Sequence, residues 1–501
     1  MYIHKIVANL YRDSVSLMQL SAALARMPGV EQASAVMATP ANLDLLREAG
    51  LMDAKPAASP NDLLVAVRGK STAALQAAIA AAVAALDKAP ERAAGGGPAG
   101  EPLRSLQMAL AQAPQANLAL ISVPGEYAAA EATKALRLGL NVMLFSDNVS
   151  PADEAALKKY ARKHDLLVMG PDCGTAIIDG VPLGFANAVR RGAVGVVGAS
   201  GTGTQQVTSL VHRHGAGISQ AIGTGGHDLS QDIGGITMLQ GLNRLATDRE
   251  TKVVVLISKP PAPKVAAAVL AAARKAAKPV VVNFVGSTED FSGKNLFSAK
   301  TLEEAALAAV ALSKGKRPQR LSYKTKIPSM KFNKGQRFIR GLYSGGTFCY
   351  EASALLGNAW SNAPVDAARK IPDPWKSREH TLVDLGDDVF TRGRPHPMID
   401  HRLRNERLIE EAADPQVAVI LFDVVLGYGS HPDPAAEMIP ALAKARKKNR
   451  SVVFVGSVCG TDQDPQGLAR QEAALRGAGV LLAESNARAV MLAANIVKRL
   501  G

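Results

Sequence analysis

Two short runs of small and hydroxylated residues carry the clearest chemistry in this sequence. They are Ala199-Ser200-Gly201-Thr202-Gly203-Thr204 and Ser344-Gly345-Gly346-Thr347, each placed after an apolar run and before a helical pattern. A strand that ends in small residues at a helix start is an anion trap. Glycine lets the backbone approach a ligand closely. The first-turn N–H groups have no helical acceptor, and the helix dipole adds positive potential there. Ser200, Gly201, Thr202, Gly203, Thr204, Ser344, Gly345, Gly346 and Thr347 are therefore candidate phosphate ligands. Neither run is a P-loop, because no Gly-Lys-Ser/Thr follows at the required spacing. A single Gly-rich turn serves packing as readily as binding; a matched pair favours the phosphate reading.

Other candidates are less specific. His227, in Gly225-Gly226-His227-Asp228, suits a general acid/base or a phosphate ligand, or is a loop histidine without chemistry. In the stretch Arg392 to Arg402, the forked guanidinium groups of Arg392 and Arg394 match carboxylates and phosphates, and Pro395 and Pro397 hold His396 in an extended pose; the alternative is a solvated loop. Cys173 has no His/Asp arrangement near it in sequence and reads as structural. His431, Asp433 and His227 lack metal-ligand spacing, so no metal site is expected.

The elements that position these residues read as α/β throughout. Residues 1–88 alternate strand and helix, as in a small α/β sandwich. Residues 89–102, with Gly95-Gly96-Gly97-Pro98, read as a flexible linker. Residues 103–188 form a compact Rossmann-like unit whose polar and Gly residues gather at strand ends. The remainder reads as a duplication, 189–312 and 335–501, joined by a basic linker at 313–334. In each copy a strand feeds a Gly-rich turn and a helix. The later strands are Val253–Ser258 and Val280–Gly286 in one copy, and Val417–Asp423 and Val452–Gly456 in the other.

Composition sets outer limits. A chain of 501 residues exceeds one core, and 47% hydrophobic with 20% charged residues is ordinary for a globular protein. Only 4% are aromatic, so the cores rest on Ala, Val, Leu and Ile. The net charge is +14, and no Asp or Glu occurs from Ala305 to Tyr350. That block lacks interleaved aromatics and any nucleic-acid motif, so it reads as a solvated linker or a face for an acidic partner subunit, not a nucleic-acid site. A small anionic substrate is consistent with the basic balance. Three separated cysteines form no disulfide framework, the N-terminus lacks a signal-peptide pattern, and the Ala-rich run from Ala73 to Leu86 is too short for a bilayer. A cytoplasmic protein without a membrane partner is expected.

Several motifs resemble the FdrA family of acyl-CoA-synthetase-like proteins: Gly195-Val-Val-Gly-Ala-Ser-Gly-Thr-Gly-Thr204, Ile218-Ser-Gln-Ala-Ile-Gly-Thr-Gly-Gly226, Ile233-Gly-Gly-Ile-Thr-Met-Leu-Gln-Gly241, Lys252-Val-Val-Val-Leu-Ile-Ser-Lys-Pro-Pro-Ala-Pro263, Gly341-Leu-Tyr-Ser-Gly-Gly-Thr-Phe-Cys-Tyr-Glu351 and Arg394-Pro-His-Pro-Met-Ile-Asp400. More distantly, 103–312 resembles the α subunit of succinyl-CoA synthetase and 335–501 the carboxyl domain of its β subunit. The resemblance implies a CoA-binding-like Rossmann domain followed by two duplicated flavodoxin-like domains. In that superfamily two helix starts converge on a phosphohistidine, and the matching positions here are Ser200–Thr204 and Ser344–Thr347. The phosphohistidine follows the strand equivalent to Val280–Gly286, where this chain has Ser287-Thr-Glu-Asp-Phe-Ser-Gly-Lys-Asn295 and no histidine. No ATP-grasp domain precedes residue 335, and no clear counterpart of the CoA-gripping Gly-rich loop stands near 103–110.

The resemblance implies a subunit of a carbamoyltransferase that interconverts oxamate plus carbamoyl phosphate with oxalurate plus phosphate in allantoin breakdown. Phosphate or carbamoyl phosphate would be its substrate. Arg392, Arg394 or His396 would orient the carboxylate or carbonyl, and companion subunits of an FdrA-type oligomer would complete the enzyme. The alternative is an NDP-forming acyl-CoA synthetase subunit, which would use CoA and nucleotide and would need His227 as phosphoryl carrier. A third reading is a non-catalytic scaffold subunit.

Overall fold

A computed structural model describes residues 1–54, 56–87, 103–323, 327–392 and 394–500. The linker expected at 89–102 lies outside the described residues, as do 324–326 of the basic linker and Gly393. The chain divides into two compact units, Met1–Val142 with Asp388–Asp400, and Met143–Asp387 with His401–Gly501.

The first unit begins with a three-stranded antiparallel sheet ordered Tyr2–Val7, Leu63–Gly69, Val30–Met37. The central strand alternates in the way a two-faced sheet requires. Leu63, Val65 and Val67 pack with Leu17, Leu24, Leu75 and Ala78 of the helices Ser14–Ala25 and Thr72–Asp87. Leu64 and Ala66 pack on the other face with Leu43 and Leu46 of the helix Pro40–Glu48. Asp13 and Thr39 cap two of these helices, accepting from the N–H groups of Ser16 and Asn42. This is the small α/β sandwich the sequence predicts.

The second unit holds two large sheets. One has seven strands, ordered Leu296–Ser298, Val280–Phe284, Val253–Ser258, Arg191–Gly198, Ile218–Gly223, Thr175–Ile178, Val181–Gly184. Its first five strands are parallel. The last two form an antiparallel hairpin that joins at Ala221 opposite Ile177. The sequence-based reading ended the preceding unit at 188 and so left this hairpin outside the sheet it completes. The second sheet has six parallel strands, ordered Trp360–Ser361, Thr381–Asp384, Phe338–Tyr343, Val417–Val425, Val453–Cys459, Leu481–Ala483. Val253–Ser258 and Val417–Val425 are buried at every position, as parallel strands covered on both faces must be.

In both sheets the strand that leads into the Gly-rich turn, Arg191–Gly198 or Phe338–Tyr343, lies centrally, and strands later in the chain pair with it on both sides. Open α/β sheets bind ligands at the carboxyl ends of strands where the order reverses in this way. Polar contacts tie the two sheets together. Asn187 Nδ2 donates to Asp464 Oδ2 at 2.8 Å and to the Leu426 carbonyl at 3.0 Å. The Thr461 hydroxyl donates to the Ala188 carbonyl at 2.5 Å.

A buried carboxyl joins three further elements. Glu351 accepts from the Leu302 N–H at 2.8 Å and from Asn486 Nδ2 at 2.8 Å. Burial pushes its carboxyl up from 4.5 to about 7, while those two donors oppose the rise. The folded state therefore holds a proton on Glu351 that the unfolded chain releases above its ordinary carboxyl range. Stability from this group is complete below about pH 4.5 and is lost as pH rises through about 7, for a total on the order of 3 kcal/mol. Chemical denaturation at pH 5, 6, 7 and 8 should show falling stability of the second unit, and Glu351→Gln should flatten that dependence.

Candidate functional site

The two Gly-rich turns meet. Ser200 Oγ and Thr347 Oγ1 lie 2.6 Å apart and share one hydrogen bond, although 147 residues separate them. Ser200 follows the strand Arg191–Gly198 and caps the helix Gly201–Arg213, its Oγ accepting from the Gly203 N–H at 2.9 Å. Thr347 lies in the first turn of the helix Gly346–Leu356, whose N-cap is Gly345 and which has no side-chain cap. The approach depends on Gly345. A Cβ there would fall 2.9 Å from Thr202 Cγ2 and 2.9 Å from the Phe348 ring. Helix geometry leaves the N–H groups of Gly201, Thr202, Gly346 and Thr347 without intrahelical acceptors, so two positive helix ends face the same place.

Not all nine predicted phosphate ligands are available. The Thr204 hydroxyl donates to the Ser200 carbonyl at 2.7 Å and is buried, so it braces the turn. The Gly203 N–H is used by the Ser200 cap. The N–H groups of Ser344 and Gly345 donate to Asp423 Oδ1 at 2.7 Å and Oδ2 at 2.9 Å. Ser344 Oγ accepts from Arg404 at 2.9 Å. Ser200, Gly201, Thr202, Gly346 and Thr347 remain as groups able to face an anion.

Four residues that the sequence reading did not select complete the site. Asp423 lies in a fully buried strand, and burial pushes its carboxyl up while Arg404 and the two turn N–H groups oppose the rise. Arg404 is fully buried, donates to the Asp423 carbonyl at 2.6 Å, and stands 3.7 Å from Asp423 Oδ1. Asp384 ends the strand Thr381–Asp384 and is 9% exposed. A Cβ on Gly346 would fall 2.5 Å from Asp384 Oδ2, so this carboxylate packs against the first residue of the helix. Asp384 is pushed up to about 6, first by burial; the Gly386 N–H and the charge of Lys259 oppose that rise, and Asp387 and Asp423 add to it. Lys259 follows the strand Val253–Ser258, is exposed, and has its Nζ 5.3 Å from the Tyr350 ring centre.

Each predicted catalytic residue has contacts within its own unit. His227 is 72% exposed, with Nδ1 3.9 Å from Glu154 Oε2. Behind it, Lys158 is fully buried and donates to Glu154 at 2.6 Å, Asp228 at 2.8 Å and the Thr224 carbonyl at 2.9 Å. Arg392, Arg394 and His396 lie in the Asp388–Asp400 segment of the first unit. Arg392 faces Glu48 at 3.6 Å, and Arg394 is exposed. His396 Nδ1 accepts from the Met398 N–H at 3.2 Å, and desolvation lowers the ring to about 4, which keeps it neutral near pH 7. Cys173 is buried and its thiol is pushed up to about 12, mainly by burial, which fits a structural cysteine. Among the described residues no cluster of three or more His, Cys, Asp or Glu could hold a metal ion.

Comparison with known proteins now adds identity to geometry. A family model described as CoA binding domain matches residues 189–286, and one described as CoA-ligase matches 342–496. The CoA-binding match falls on the first Gly-turn sheet, not on the 103–188 unit that the sequence reading compared with such a domain. YahF of Escherichia coli (strain K12) is 43% identical over 98% of both chains. The chain belongs to the FdrA family. Within the succinyl-CoA synthetase-like superfamily, this FdrA-family chain is an acyl-CoA-synthetase-like, succinyl-CoA-ligase-like protein. The succinate–CoA ligase α subunits of Staphylococcus epidermidis and Aquifex aeolicus are 28% and 29% identical over 29% of the chain, a match that spans about half of each subunit. Among solved structures, the dinucleotide-forming acetyl-CoA synthetase 1 of Ca. Korarchaeum cryptofilum covers 77% of this chain and 83% of its own, at 17% identity and a TM-score of 0.33. The α/β class is as expected. The CoA-ligase alternative fits these relatives better than carbamoyl transfer does.

A third family model, described as AllF, heavy metal-associated domain, matches residues 1–102. The donor set does not fit a heavy metal, since this stretch has no cysteine and His4 as its one histidine. Nor does 103–113 offer a Gly-rich loop for a pyrophosphate: the sequence has no glycine from 101 to 124, and Ser105 starts a short helix, Leu106–Gln112.

Removing Arg404 leaves Asp423 buried without its cation and frees Ser344. Arg404→Ala should destabilise the second unit by about 3–5 kcal/mol, measured by urea denaturation. A change below about 1 kcal/mol would show that the cation is not what anchors the second turn.

Proposed function

We propose that the chain is the phosphoryl-binding subunit of an acyl-CoA-synthetase-like enzyme, holding phosphate or the phosphoryl end of an acyl phosphate between the starts of Gly201–Arg213 and Gly346–Leu356. The observation that carries this reading is the 2.6 Å contact between Ser200 Oγ and Thr347 Oγ1. It puts two positive helix ends on one point, which is costly unless an anion or carboxylate answers them. In the reaction, the N–H groups of Gly201, Thr202, Gly346 and Thr347 would take the phosphoryl oxygens, and the Ser200 and Thr347 hydroxyls would exchange their mutual bond for bonds to the anion. As the acyl–oxygen bond breaks, negative charge grows on the leaving phosphate. Fixed donors already aimed at it lower that barrier without reorganising. Lys259 would add a mobile positive charge at the mouth.

The second reading is transfer of a carbamoyl group from carbamoyl phosphate. What favours it is the stretch Ser287–Asn295, which has no histidine to carry a phosphoryl group in the place where the superfamily has one. Both readings make the same demand on the cradle, because acyl and carbamoyl phosphates share the mixed-anhydride phosphate.

Titration of the full chain with inorganic phosphate, followed by calorimetry or ³¹P line broadening, tests the cradle. A side chain at Gly346 would be driven into Asp384, so Gly346→Val should weaken binding at least about tenfold, the scale of one lost charge-assisted hydrogen bond. Unchanged binding would overturn the reading. With partner subunits added, CoA-dependent loss of acetyl phosphate supports the ligase, and oxamate-dependent loss of carbamoyl phosphate supports the carbamoyltransferase.

A further inference from the structure

The cradle contains a carboxylate where an anion site would be expected to exclude one. A Cβ on Gly346 would fall 2.5 Å from Asp384 Oδ2, so this oxygen lies against the first residue of the helix Gly346–Leu356. The side chain is more than nine-tenths buried. Its other oxygen, Oδ1, accepts from the Gly386 N–H at 2.9 Å, which fixes the rotation of the group. Among the described residues no donor serves Oδ2.

The hydrogen bonds that fix the second turn go to other residues. Asp423 already accepts from the N–H groups of Ser344 and Gly345, and Arg404 already holds Ser344 Oγ. Asp384 keeps one lone-pair-bearing oxygen, Oδ2, beside the first residue of that helix. Such an oxygen repels a fully deprotonated anion but accepts a hydrogen bond from an anion that carries its own O–H. Near neutral pH, inorganic phosphate carries at least one P–OH. Sulfate has the same size, shape and charge as the phosphate dianion and carries none.

We infer that Asp384 is the specificity-determining residue of the cradle, accepting a hydrogen bond from a P–OH group, so that the site selects protonated phosphate over sulfate. This rests on the phosphate-cradle reading and deepens it. The helix-start N–H groups and the two hydroxyls would supply donors for three anion oxygens, and Asp384 the acceptor for the fourth. Lys259 acts in the same direction. Its charge favours the ionised carboxylate, the form that can only accept.

The test compares binding of inorganic phosphate and sulfate to the full chain at pH 7.5 and equal ionic strength. Wild-type protein should bind phosphate at least about tenfold more tightly, as expected for a charge-assisted hydrogen bond present in one complex and replaced by repulsion in the other. Asp384→Asn offers a donor as well as an acceptor, so it should gain sulfate affinity and bring the two anions within about threefold. Equal affinity in the wild type would overturn the inference while leaving the cradle intact, and needs no variant. Discrimination unchanged in a folded Asp384→Asn would also overturn it. Failure of both anions to bind the wild type would overturn the cradle reading, and this inference with it.

Discussion

Two helix starts that face one another bring like partial charges together, and much of the second unit can be understood as the answer to that repulsion. Each start is equivalent to roughly half a positive charge. Left alone, the pair would push the two sheets apart where Ser200 meets Thr347. Asp423 takes up two N–H groups of the second turn and so fixes where that helix begins. Asp384 places a second carboxylate over Gly346. Arg404, itself buried, balances Asp423 and holds Ser344. The turn is thus built by charges drawn from two strands and one helix that are distant in sequence. Buried ions of this kind cost several kcal/mol each to desolvate and persist only when fully paired.

That origin explains what the sequence made legible and what it hid. The Gly-rich turns could be read locally, because strand, turn and helix are contiguous and each residue's reason lies within a few neighbours. The duplicated order of strands could be read for the same reason. The partners of the turns could not. Asp384 was visible only as part of the run Leu382-Val-Asp384, with nothing to say that it would reach over a glycine 38 residues earlier. Arg404 sits in Arg402-Leu-Arg-Asn-Glu-Arg407, where a charge usually means a solvated face. Asp423 did leave a signal: a lone carboxylate inside the apolar run Val417-Ala-Val-Ile-Leu-Phe-Asp-Val-Val425, all of it buried in a central strand. A charge is not placed there without a bonded purpose. Conversely, Thr204 and Ser344 looked like ligands because hydroxyls near glycine suit phosphate, but their hydroxyls are spent on holding the turns themselves.

The CoA-binding match at 189–286 and the CoA-ligase match at 342–496 lie on one polypeptide. Linking two halves of a site converts their encounter into an intramolecular event, with an effective concentration far above that of separate chains. The two turns can therefore meet without a concentration-dependent association step. The contacts that join the sheets suit that situation. Asn187 with Asp464, and Thr461 with Ala188, are polar and geometrically demanding, and they fix orientation more than they supply adhesion.

The Ser200–Thr347 hydrogen bond is also the feature of the site best suited to change. Backbone N–H groups at a helix start cannot turn away, and Asp423 and Arg404 are locked by burial. The two hydroxyls differ, since each rotates about a single bond and each can donate or accept. With no anion between the helix ends they satisfy one another. With an anion present, each can donate outward at the cost of one neutral hydrogen bond and the gain of two charge-assisted ones, which are roughly twice as strong. Helix-start amides fixed in place beside two rotating hydroxyls combine preorganised donors with a contact that opens at little energetic cost.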